Sequence, residues 1–191
     1  MPVLKVSLSV LALAALGPHQ PQDDALMRLK DPRATERSAA LVSLRQHPEP
    51  DAALLALVAD SLFDDVEDVR VTAAYSVSTL AGKLGCNLAL PEECQTLVNV
   101  FDAIPRTITI EWPHYWVQML RGGATQAVIS LEFLVRADGS VDKVRYLDGP
   151  KLLREPTKDA AKRWKFEPAR RRGQKVLFVK TVTMRLRSET Q

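Results

Sequence analysis

The stretch "RWKFEPARRRGQKV" (163–176) sets Trp164, Phe166 and Pro168 at alternate positions and runs them into three arginines and a glycine. It admits two readings. Rings interleaved with Lys162, Arg163, Lys165, Arg170, Arg171, Arg172 and Lys175 resemble the cationic, aromatic surface of a single-strand nucleic-acid binder. In the other reading a helix stops, the chain turns and a strand begins, with the rings inside and the cations in solvent. The preceding periodicity decides. Leu153, Thr157, Ala160, Ala161 and Trp164 lie at helical spacing, so 153–165 is expected as a helix with an inward stripe. Pro156 is tolerated near its first turn. Trp164 closes the stripe, Phe166 covers a sheet as the chain straightens, and Pro168 stops helical continuation. Arg170, Arg171 and Arg172 are then expected in an exposed connection before Gly173.

The sheet is legible on both sides of this helix. In "AVISLEFLV", Ala127, Ile129, Leu131, Phe133 and Val135 alternate with Ser130 and Glu132, the period of a half-buried strand. Asp138-Gly139 supplies the positive-φ pair that a tight hairpin favours, and "VDKVRYL" resumes with Val144 and Tyr146 inward. After the arginines, "KVLFVKTVTMRLR" (175–187) alternates again, with Phe178, Val182, Met184 and Leu186 facing in. The expected fold class here is α+β: strand, strand, helix, strand (ββαβ), one helix on a three-stranded antiparallel sheet.

The rest of the chain has another character. Of 191 residues, 112–191 hold 17 Lys and Arg against 8 Asp and Glu, whereas 1–111 hold 9 against 15. Such a split marks two segments with separate histories. Hydrophobic residues make up 46% and charged ones 26%, which excludes bulk disorder. The opening "MPVLKVSLSVLALAALG" (1–17) carries one lysine and an apolar run too short to span a bilayer, which needs roughly 20 residues. It reads as a secretory signal with small residues at the cleavage region. A buried N-terminal element or an uncleaved single anchor are the alternatives. In an exported chain, Cys86 and Cys94 in "GCNLALPEEC" read as a disulfide closing a short loop; two separate buried thiols are the other reading.

In the acidic half, "LKDPRATERSAALVSLRQH" and "LFDDVEDVRVTAAYSVSTLA" repeat each other. Asp31 aligns with Asp64, Arg37 with Arg70, Ala40 with Ala73 and Leu44 with Val77, all at one offset. A period of this size marks stacked helical units, each opening on an Asp-rich turn suited to an N-cap. "DAALLALVADSL" (51–62) supplies a helix between them, after the prolines of "HPEP". The pattern resembles HEAT-like repeats over 23–84, within an all-α region expected over 23–105. The resemblance implies that Asp31, Asp64, Arg37 and Arg70 are structural, contacting the neighbouring unit. A helical stretch at 91–101, or the basic half, is expected to cover the array's exposed end.

The combination "FLVRADGSVDKVRYL…DAAKRWKFEPARRRGQKV", with "PHY" at 113–115, resembles the TonB C-terminal domain family, covering 112–187 within an expected domain of 112–188. The resemblance implies a non-enzymatic, periplasmic module that recruits a partner's extended peptide to a sheet edge. The last strand is the implied edge, and Arg170, Arg171, Arg172, Lys180, Thr181, Thr183 and Arg185 the implied partner-binding residues. Their charge suits an acidic partner, an outer-membrane receptor or another envelope protein, and the chain's own acidic half is a further candidate. Departures are plain: the repeat helices replace a proline-rich spacer, and "YLDGPKLLREP" replaces the family's usual segment before the helix. Two alternatives stay open. One is an energy transducer of a TonB-type transport system, membrane-associated through an uncleaved N-terminus; the other is a helical-repeat scaffold.

No catalytic constellation is visible, so neither enzyme activity nor a cofactor or metal is expected. His19, His47 and His114 are scattered, without cysteine or carboxylate at ligand spacing. No phosphate-cradling glycine loop or nucleophile elbow occurs. Nucleic acid is not an expected partner, because Trp164 and Phe166 belong to the core on the periodicity above. Trp112 and Trp116 in "EWPHYW" form either a recognition patch or a lead-in element packed on the sheet.

Overall fold

The structure, a computed structural model, describes residues 20–87, 89–111 and 126–187. The expected signal (1–17), His19, Trp112, the 113–115 motif, His114 and Trp116 lie outside the described residues.

The acidic half is helical: α1 (Gln20–Arg28), α2 (Ala34–Leu44), α3 (Ala52–Asp60), α4 (Glu67–Lys83) and α5 (Gln95–Val100). The repeat seen in the sequence returns as a repeated local motif. Asp31 Oδ1 accepts from the Arg33 amide at 2.8 Å, and 33 residues on Asp64 Oδ1 accepts from the Val66 amide at 3.0 Å. Arg37 Nη1 donates to the carbonyls of Asp31 and Pro32, as Arg70 Nη1 does to those of Asp64 and Asp65. The aspartates are therefore not the N-caps expected from the sequence. Arg33 and Val66 hold those positions, and each aspartate braces the turn from two residues upstream. The true side-chain cap is Asp51, which accepts from the Leu54 amide at 2.7 Å and starts α3. Arg37 also reaches across to the next unit, meeting Asp64 Oδ2 at 2.7 Å with both side chains nearly buried. Cys86 and Cys94 form the expected disulfide, closing a loop over the start of α5.

The basic half centres on an antiparallel sheet ordered β3-β2-β7: β2 (Gln126–Val135) lies between β3 (Val141–Asp148) and β7 (Phe178–Arg187). Helix α6 (Arg154–Ala161) packs on one face. It is shorter than the periodicity predicts, yet Leu153, Thr157, Ala160, Ala161 and Trp164 are all buried. Trp164 stacks on Phe133 at 5.1 Å, Phe166 tilts against the same ring, and the Trp164 indole donates to the Glu111 carbonyl at 2.8 Å. The rings are core residues, unavailable for stacking on bases.

Four short strands lie outside this sheet and are not separate elements in the sequence reading. β1 (Thr107–Thr109) pairs with β4 (Lys165–Phe166), and β5 (Ala169–Arg171) folds back on β6 (Gln174–Val176). Arg172 and Gly173 turn that hairpin with φ of 50° and 75°, the positive pair a two-residue turn favours. At 138–139 the expected positive pair is corrected: only Gly139 is positive, because Asp138 instead accepts from the Ser140 amide and hydroxyl.

The two halves share a core. Along β2, burial alternates up to Ser130 and is then continuous from Leu131 to Val135. Its second face there, with Leu134 and Val179, meets Leu55, Val58, Val69, Ala73 and Leu97 of the helices. Phe178, expected under α6, joins this second cluster and meets Phe101 edge-on at 5.2 Å. The molecule is thus layered as helices, sheet and helix, with β2 covered on both sides over half its length.

Candidate functional site

The arginine run does not form an exposed cationic loop. Arg170 and Arg171 belong to β5, and Arg171 is buried. Its guanidinium points into the helical half, donating to the carbonyls of Val100 and Ala56, the latter at 3.0 Å, and to the carboxylate of Asp60. Arg172 is exposed and holds the same carboxylate, 2.9 Å from the Oδ1 that Arg171 also meets and donating to Oδ2 at 3.2 Å. The Arg170 backbone pairs with Ala103, and the Gly173 amide donates to Asp102. Exposure was expected for all three because the hairpin was read as a loop; strand pairing alternates the side chains and sends Arg171 inward. Its acceptors come from α3 and the end of α5, so this cluster joins the chain's own halves.

The last strand is the edge that the resemblance implies. β7 is the outer strand of the sheet, and among the described residues no strand pairs its far side. A groove of about 700 Å³ runs along it, walled by Val182, Thr183 and Arg185 on the strand, Asn87, Leu90 and Glu92 of the disulfide loop, and Arg106 and Thr107 at β1. Thr183 and Arg185 are exposed, and Thr183 shares a hydroxyl hydrogen bond with Ser130 at 3.1 Å. Thr181 is half-buried opposite Glu132. Lys180, expected at the surface, is buried: it sits opposite Phe133, and its side chain is 8% exposed. Burial pushes its ammonium below the usual lysine range, opposed in part by Glu92. Glu92 lies 3.8 Å away on the disulfide loop.

The implied partner-binding residues therefore separate. Arg170, Arg171 and Arg172 gather at the junction of the halves, while Lys180, Thr183 and Arg185 line the groove. Reading one strand at a time missed Arg106, Glu92 and Asn87, which tertiary folding carries to the groove. The signal available for Glu92 was its place between two paired cysteines.

The arrangement offers a strand edge and cations, suited to main-chain and charge recognition. Among the described residues, no group of three or more His, Cys, Asp and Glu could hold a metal, and no helix is long and apolar enough to cross a membrane. Residues 112–185 match the family model described as Gram-negative bacterial TonB protein C-terminal. The C-terminal part of this chain is similar to the TonB C-terminal domain. A solution NMR structure of the Pseudomonas aeruginosa TonB CTD matches with 16% identity, covering 46% of this chain and 87% of that one, at a TM-score of 0.32. No curated protein matches the chain. The TonB-like match takes in β2, β3, α6 and most of β7 and leaves the helical half outside it.

Proposed function

We propose that this chain is an exported envelope adaptor whose TonB-like domain binds an extended segment of a protein partner by adding it to the outer edge of β7. One observation carries the reading: β7 is the sheet's outer strand and faces a groove lined by Arg106, Lys180 and Arg185. Edge addition draws affinity from main-chain hydrogen bonds and selectivity from side chains that flank the strand. The cations make an acidic segment the preferred one. The helical region, 23–105, is a HEAT-like platform on which the domain over 112–188 sits. Its role is to hold the sheet and frame one wall of the groove through the disulfide loop. A periplasmic setting agrees with the apolar N-terminus and with the disulfide, and an outer-membrane receptor or another envelope protein is the natural source of the segment.

The test is an NMR titration of the isotopically labelled chain with extended segments taken from outer-membrane receptors. Binding is expected to shift the amides of 181–187 and to spare those of β3. Arg185→Glu is expected to weaken the interaction roughly tenfold, about 1.4 kcal/mol. Shifts confined to β3 or to the helices refute edge addition.

A further inference from the structure

Position 180 falls where the strand's alternation calls for an apolar side chain. It lies between Val179 and the half-buried Thr181 and faces Phe133 across the sheet. The chain places a lysine there and buries its side chain to nine-tenths. A buried charge is costly unless it is paired and hydrogen-bonded. Lys180 has neither in full: its carboxylate neighbour, Glu92 Oε2, is 3.8 Å away, beyond hydrogen-bond distance. Glu92 itself is half exposed, on a loop tied back by the Cys86–Cys94 bridge. Both side chains line the groove beside β7, together with Arg106 and Arg185.

We propose that Lys180 reads a single carboxylate on the bound segment, and that Glu92 is the internal carboxylate that this group displaces. The inference rests on the reading of β7 as the docking edge and names what that edge selects: an extended acidic segment with an Asp or Glu in register with Lys180. Three cations against one carboxylate leave the groove attractive to an anion. An incoming carboxylate makes the short, charge-assisted bond that Glu92 does not. Displacement of Glu92 frees one wall of the groove, while the disulfide limits how far that wall moves.

The probes are a capped extended peptide of threonine and valine with one central glutamate, and its glutamine twin, titrated into the intact, disulfide-bonded chain. The wild type is expected to prefer the glutamate peptide. Glu92→Gln, which removes the internal competitor, is expected to bind it roughly tenfold more tightly than wild type does. Lys180→Met, which keeps the side-chain length and removes the charge, is expected to bind both peptides equally. Equal binding of the two peptides by wild type, with β7 amides shifting for both, overturns the carboxylate reading and leaves edge docking standing. Failure of either peptide to shift β7 even in Glu92→Gln overturns both. An unchanged affinity in Glu92→Gln removes Glu92 from the role. Should Lys180→Met not fold, the comparison of wild type with Glu92→Gln decides alone.

Discussion

Gly139 shows how much one missing side chain can settle. Its φ of +84° lies in the left-handed region, and a Cβ built on it would stand 2.0 Å from the Phe166 carbonyl oxygen. The Phe166 amide in turn donates to the Gly139 carbonyl at 2.9 Å. The β2–β3 turn and the strand after α6 therefore touch backbone to backbone, and both must move to admit a methyl group. Gly139→Ala is expected to destabilise the fold by at least about 2 kcal/mol, measured by urea denaturation. The turn itself was legible from Asp138-Gly139, and so was the inward aim of Trp164 and Phe166. That the two features meet was not, because proximity of residues 27 apart leaves no periodic trace. Arg171 was misread for a similar reason: a run of cations signals solvent until a strand pairing turns every second one inward.

Among the elements, α2 and α4 are joined by the most economical device in the helical half. Arg37 spans from its own turn to Asp64 of the next unit and holds that carboxyl below the usual carboxylate range, a hydrogen bond from the guanidinium being the main cause. A depressed pKa means that the unfolded chain takes up its proton first as pH falls. The stabilisation is full above the unfolded value and is lost on acidification through the folded one. Asp64→Asn is therefore expected to flatten the acid limb of a plot of stability against pH while costing stability near neutrality. Thermal melts from neutral to acidic pH read both effects. The common offset of Asp31 with Asp64 and Arg37 with Arg70 disclosed the repeat, and the resemblance to helical repeats implied a contact with the neighbouring unit. Strand β2 disclosed less. Its alternation gave the face under α6, but the consecutive Phe133, Leu134 and Val135 also mark a stretch covered from both sides. That the second cover came from the helical half required the fold.

At the scale of the molecule, the charge split between the halves turns out to be partly an internal complementarity. Arg171 and Arg172 grip Asp60, and Arg136, in the turn after β2, comes within 3.6 Å of Glu67 at the start of α4. The exposed pairs contribute little. Arg171 contributes more, because its removal leaves the buried carbonyl of Val100 without its donor. Arg171→Met is expected to cost about 2–4 kcal/mol. Its signature is a split in the unfolding profile: one cooperative transition for the wild type in calorimetry, and two for the variant as the sheet loosens from the helices. A single transition for both sinks the idea that this arginine couples the halves.

The two-sided cover on β2 has a practical corollary for anyone who trims the chain. A piece beginning at residue 112 would leave Leu134, Phe178 and Val179 facing water, stripped of their companions Leu97 and Phe101. Such a piece is sticky in its own right, and whatever it captures on a resin reports the wound left by the cut.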